Sequence, residues 1–337
     1  MAIGSSGVSE SLPMMIRTSI SPTRMPQAAF SVIELLTVLG IIATFAALLV
    51  PAFLRGREDS RRVACVNNLK QIDLALHSYL TSFSVLPSGS YDAPAAGLVE
   101  SVDGARQFGW IYSLLPFLEQ RFVWSAINLA VGPRDPENRT ASQVRFSALL
   151  CPLASSGQRA VAAGGGVDDQ MAGRTSYAGC HHDVEAPIAL DNHGVLYLNS
   201  AVRVVDVADG LAFTVFLGEL AVPSPLGWLT GTRSTLRNTG HPINRVDPAA
   251  FPLLAKAGGT AWSAPLPAAK LELAIEDGTI TPLPRFVGGF GSTHFGAGAN
   301  FAFGDGSVRF LKETVDASVY QRLGHRADGE PIDDEPY

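Results

Sequence analysis

Between Leu35 and Leu54 the chain runs for 20 residues, LLTVLGIIATFAALLVPAFL, without a charged side chain. Folded as a helix, such a stretch covers the hydrocarbon core of a bilayer, roughly 30 Å thick. A segment this uniformly apolar leaves little choice. It sets a single membrane crossing at about 35–54 and separates a short N-terminal part from a long C-terminal one. One acid, Glu34, stands at its front edge. A carboxylate held in lipid costs about 2.5–3.5 kcal/mol, so Glu34 needs a partner or a task.

This division gives a leader (1–29), a long N-terminal helix (30–83), a globular part (84–326) and an acidic tail (327–337). The leader is Ser-rich with Arg17 and Arg24, and basic residues before an apolar helix keep that end in the cytoplasm. A single pass through the inner membrane is expected, with the globular part periplasmic or extracellular. Beyond the apolar segment, Val63, Val66, Leu69, Ile72, Leu76, Tyr79, Leu80 and Phe83 recur in steps of three and four. That is the helical period. One helix is therefore predicted from about Ser31 to Thr81, bent at Pro51. At 1.5 Å per residue it is on the order of 75 Å long.

Net charge is −6 and charged residues make up 17%, below the usual quarter. No Lys/Arg cluster stands among interleaved aromatics, which excludes a nucleic-acid partner. No G-x-S-x-G elbow, H-E-x-x-H, P-loop or Rossmann fingerprint is present. An enzyme is not expected and no catalytic residue is assigned. The three cysteines are Cys65, Cys151 and Cys180, on the side of the membrane where disulfides persist. A Cys65–Cys151 bridge would tie the long helix to the globular part and leave Cys180 over. Buried unpaired thiols are the other arrangement.

Two stretches carry a resemblance. Phe30-Ser31-Val32-Ile33-Glu34-Leu35-Leu36, with Pro51 further on, resembles the N-terminal segment of type IV prepilins and pseudopilins. The resemblance implies cleavage before Phe30 by a prepilin peptidase/methyltransferase and methylation of the new amino group. An α-amine has a pKa near 8 and is largely protonated at neutral pH. It could pair with Glu34 of a neighbouring copy. The residue before the cut is Ala29, where the family usually has Gly. Partners implied are that processing enzyme, the membrane, and the chain itself or other pilin-like subunits through the N-terminal helix.

Arg61-Arg62-Val63-Ala64-Cys65-Val66-Asn67-Asn68-Leu69-Lys70-Gln71-Ile72, then Ala75-Leu76-His77, resembles a large bacterial family. Its members join a prepilin-type signal to a domain of unknown function and carry a C-terminal signature of His, nine residues, then Asp-Gly. Here the matching residues are His294, Asp305 and Gly306, with ten residues between His294 and Asp305. The implied fold is α+β, with a pilin-like long helix packed on a mainly antiparallel β-sheet head that carries loop-rich insertions.

Within the head, Phe108–Asn128 reads as a helix pair broken before Pro116, with Trp110 and Trp124 in the core. Ala160–Arg174, rich in Gly and Ala, reads as a mobile loop. Strands are expected at Val195–Leu198, Val202–Val207 and Phe213–Leu217, the last two joined at Asp209-Gly210. Asn300–Gly304 and Ser307–Leu311 flank Asp305-Gly306 as a two-residue hairpin, and Thr314–Leu323 closes the fold as a helix. Pro223–Pro284 reads as loop-rich and assigns no element.

His181, His182, Asp183, Asp191 and His193 form the densest set of metal-type ligands. They lack a helical spacing and read as a solvated loop, so no metal is expected. Asp103, Asp209, Asp277 and Asp305 each precede Gly. Plain turns account for them, and calcium is the one cofactor their oxygens would suit. His294 with Asp305 allows an acid–base pair. The stronger reading is structural, with Asp305 making a turn and His294 bonding backbone. The expected function is a pseudopilin-like structural membrane protein in a type II secretion or type IV pilus-like assembly, or in envelope display. The alternative is a membrane-anchored extracytoplasmic binding module for a solute, glycan or envelope partner.

Overall fold

The computed structural model describes residues 32–91, 98–99, 107–152, 173–224, 226–246, 254–256, 266–276, 280–282, 285–294 and 296–332. Ala29 and Phe30 lie outside them, as do Asp103, Asp277 and most of the 160–174 stretch. The chain divides into two units, Met1–Phe53 and Leu54–Tyr337.

The first unit contributes the opening turns of α1, which spans Val32–Phe83 without interruption at Pro51. Every residue from Val32 to Leu49 is exposed, and this is the one helix among the described residues long and apolar enough to cross a membrane. Thr37 and Thr44 donate their hydroxyls back to the carbonyls of Ile33 and Gly40, so even the polar side chains here satisfy the helix rather than solvent.

The second unit is α+β. Its sheet has five strands: β1 (Tyr177–His182), β2 (Val215–Glu219), β3 (Leu236–Asn238), β4 (Gly298–Phe303) and β5 (Val308–Lys312). Their order is β5-β4-β2-β1-β3. All neighbours are antiparallel except β1 and β3. Both faces of the central strands β1, β2 and β4 are buried, His181, His182, Glu219 and Asn300 included.

One face of the sheet meets α1. Cys65, Leu69, Ile72 and Leu76 are fully buried there and keep the steps of three and four expected of a packed helical stripe. Val63 and Phe83, placed on that stripe by the sequence pattern, instead lie exposed. The other face is closed by α5 (Ala317–Gly324), whose Tyr320 and Leu323 pack with Phe290, Phe301 and Phe303. Asp316 caps α5 by accepting from the amides of Ser318 and Val319. It begins three residues later than the pattern predicted, because Asp316 ends the preceding turn.

The predicted helix break at Pro116 is present, between α2 (Trp110–Leu114) and α3 (Arg121–Ala126). Trp110 is buried and donates to the carbonyl of Thr235 at 2.8 Å. Trp124 is not core: it is 41% exposed and stacks on Tyr112. Two predicted strands are absent. Val202–Val207 contains a 3-10 turn at Val204–Asp206, held by an Arg203–Asp206 capping pair, and Val204 and Val205 face solvent. Val195–Leu198 is an irregular segment that buries Val195, Leu196 and Leu198, with an isolated bridge from Leu198 to Ser90 in place of a strand. Asp209-Gly210 consequently ends no hairpin. The loop-rich stretch 223–284, to which the sequence assigns no element, supplies β3 and also α4 (Ala268–Glu276).

The last hairpin forms, with a longer turn than predicted. Only Gly306 takes positive φ, at +83°. The amide of Gly306 donates to Phe303 and that of Phe303 to Ser307. This is a type I turn closed by a left-handed residue, a three-residue connection.

Candidate functional site

Three places in the chain hold residues singled out by sequence. The first is the front of α1. Glu34 lies in its first turn, where a carboxylate complements the helix dipole.

The second lies where α1 meets the sheet. Cys65 and Cys151 are joined as a disulfide, with Cα atoms 5.0 Å apart. Asn68, one turn on, donates to the carbonyls of Ser147 and Leu150 at 3.2 and 2.9 Å. Tyr177 at the start of β1 donates its hydroxyl to the carbonyl of Cys65 at 3.1 Å, and the amide of Cys151 donates to Ser176. Cys180 remains a free thiol, buried in β1 against the sheet's other face. Burial pushes its pKa far up, so it is held as the neutral, unreactive form.

His294 reaches this same place. Its Nε2 donates to Glu219 at the end of β2 at 3.1 Å, with Cys151 Sγ 3.7 Å away. Glu219 also accepts from the amide of Asn300 at 2.8 Å and from its side chain at 3.0 Å. The predicted partner of His294 was a backbone group. The actual partner is this carboxylate; next to it, Gly218 lets the strand pass so close to Phe290 and Phe301 that a Cβ would sit 2.6 Å from a ring carbon. Asp305 is not in the group. It sits in the β4–β5 turn, accepting from the amide and hydroxyl of Ser307 and pairing with Arg309 at 3.2 Å. His294 and Asp305 thus do separate jobs. Nothing in the local sequence points from His294 to Glu219, which lies 75 residues away.

The side chains of His294 and Glu219 are 1% and 2% exposed, so the pair offers no face to a substrate. Cys65, Cys151, Glu219 and His294 bring metal-type atoms within 4.8 Å of one another. The two sulfurs are spent on each other, leaving one nitrogen and one carboxylate.

Further along, beside the β4–β5 turn, α1 carries an unexpected acid. Asp73 is buried on the packed stripe, and its Oδ1 has no hydrogen-bond partner. Burial, with Asp305 as a second and like charge, raises its pKa from 3.8 to about 7. His77 stands 3.6 Å off, and burial lowers its pKa. The two form no hydrogen bond.

The third place is the His-rich run. It is not a solvated loop. His181 and His182 are buried in β1, and their rings stand at 89° to each other. His181 turns to Asn192 at 3.1 Å. Burial lowers its pKa to about 4. His182 turns the other way, to Asp183. His193 Nδ1 comes back to the same carboxylate oxygen at 2.9 Å, while Asp191 is exposed on the turn between. Burial raises the pKa of Asp183, and hydrogen bonds from His182, His193 and backbone more than reverse this, holding it down to about 2.

The match to family models is to a protein of unknown function (DUF1559), over residues 55–318. The chain belongs to the DUF1559 family. The DUF1559 match begins just past the apolar segment and ends inside α5, so it takes in the disulfide, the His294–Glu219 pair and the His-rich run. No curated protein and no solved structure matches the chain.

Proposed function

We propose that this DUF1559 protein is a pilin-like structural subunit, cut before Phe30, N-methylated, and anchored by a single pass in the inner membrane. Its head would stand in the periplasm or outside the cell. It would work by self-association or beside other pilin-like subunits, in a type II secretion or type IV pilus-like assembly or in envelope display.

The observation that carries this reading is the contrast within α1. Val32–Leu49 presents apolar side chains in every direction and buries none, whereas Cys65–Leu76 buries a single stripe in the head. Fully burying a Leu, Ile or Phe is worth about 1.5–3 kcal/mol, so the first stretch requires lipid or other helices around it. A head fastened to the same helix by a disulfide, with its His–carboxylate pair closed to solvent, suits a load-bearing or display role better than catalysis.

Sequencing the N-terminus of the protein purified from its native membrane tests the proposal. A start at Phe30 is the expected result, and an intact Met1 would end the pilin reading. Crosslinking in the same membranes should trap adjacent copies, or a copy with another apolar helix. Recovery as an uncrosslinked single chain would favour a lone anchor carrying a binding head.

A further inference from the structure

We propose that His182, Asp183 and His193 form a divalent transition-metal site on the head, with His182 Nδ1, Asp183 Oδ1 and His193 Nδ1 as ligand atoms. Two imidazoles and one carboxylate are the donors that zinc and its first-row neighbours select. Three protein ligands with one position left over is the arrangement of an open zinc centre.

The three atoms lie within 4.8 Å of one another, and Asp183 Oδ1 is 2.9 Å from His193 Nδ1. Bonds of 2.0–2.2 Å put ligand atoms around one zinc about 3–4 Å apart, so both contacts to Asp183 Oδ1 widen slightly to admit the ion. The His182 and His193 rings already stand with centroids 4.4 Å apart. His182 Nδ1 accepts the amide proton of Asp183 at 2.9 Å. It also faces Asp183 Oδ1. A metal ion would take the place of the proton that this nitrogen shares with Asp183, since ligand nitrogens bind metals unprotonated.

The backbone that presents His193 is held more firmly than an exposed side chain needs. The amides of Gly194 and Val195 donate to the carbonyls of His181 and Cys180. Arg326 then binds three successive carbonyls: its amide takes His193 at 3.0 Å, and its guanidinium takes Asn192 at 2.6 Å and Gly194 at 2.9 Å. Yet the His193 side chain is 47% exposed. A rigid mount under an accessible imidazole is what ligand preorganisation requires. His182 is buried, so it supplies the fixed inner ligand. The open position faces solvent on the His193 side, where water or a donor atom of a partner completes the shell.

The test uses the full chain in detergent, stripped with chelator and dialysed against Zn2+. Metal bound per chain is then counted. Wild type should retain one equivalent. His193→Ala and Asp183→Asn should each weaken retention by at least about tenfold, since losing even an outer partner of a metal ligand costs that much. Circular dichroism confirms that each variant is folded. His325→Ala, which removes the ring packed 4.6 Å from His193 but none of the three ligands, should keep the equivalent. Co2+ in place of zinc should give the visible absorption of a nitrogen- and oxygen-bound ion, lost in His193→Ala. Substoichiometric retention by wild type would overturn the site, and so would full retention by both ligand variants.

Discussion

His294 and Asp305, close in sequence, have unrelated duties in the fold. His294 is a core residue whose imidazole fills one of the places around the Glu219 carboxylate. Asp305 is a turn residue on the surface. His294→Ala should therefore cost roughly 2–4 kcal/mol, because it leaves a buried carboxylate short of a donor as well as opening a cavity. Asp305→Ala should cost less than about 1 kcal/mol, as its pair with Arg309 is exposed and screened. Urea unfolding of both variants measures the contrast, and equal losses would contradict it. Asp73 makes a prediction of opposite sign. Its folded pKa, about 7, lies above its unfolded value of 3.8. Between those limits the folded chain keeps a proton that the unfolded chain has lost. Stability contributed by this residue is greatest below pH 3.8 and falls as pH rises to 7, at up to about 1.4 kcal/mol per unit. Asp73→Asn should flatten that slope, and at pH 8 it should melt higher than wild type. A slope unchanged by the substitution would show that Asp73 is solvated.

At the level of elements, the disulfide joins α1 to the segment that leads into β1, closing 86 residues of chain. A loop of that size places its loss at about 2–5 kcal/mol. Cys65→Ser should lower the melting temperature, and added reductant should lower that of wild type but not of the variant. Which elements could be read beforehand depends on how local their causes are. The second half of α1, the Pro116 break and the β4–β5 hairpin each depend on a period, a proline or an Asp-Gly turn within a few residues, and all three are present. The strands expected at 195–198 and 202–207 failed because short apolar runs bury equally well in irregular backbone. β3 was invisible for the opposite reason. Leu236-Arg237-Asn238 has no alternation, and its Arg237 is buried. It lies in the sheet because Arg237 and Arg233 both reach Glu272 on α4, at 2.9 and 2.7 Å. The ligand trio was legible as residue types but not as a place, since Asp191 and His181 are as close in sequence as the residues that converge.

For the whole molecule, the decisive fact is where burial stops. Every buried apolar residue among the described ones lies at or beyond Cys65. The unit Leu54–Tyr337 thus contains the sheet, both disulfide sulfurs, the His294–Glu219 pair and the His182–Asp183–His193 trio. The preceding apolar turns contribute to none of these. A chain begun at Leu54 should therefore remain in the supernatant without detergent and melt within a few degrees of the full protein. The full chain should sediment with membranes, as the exposure of Val32–Leu49 requires. Replacing Leu39 and Ile42 together by Lys should release the full chain from membranes and leave the melting temperature unchanged, since two charges at the centre of a span cost about 5–7 kcal/mol in lipid and nothing in a head they do not touch. If the shortened chain aggregated or melted far lower, the apolar turns would be part of the head's own core, and the case for a segment reserved for lipid or for neighbouring helices would fail.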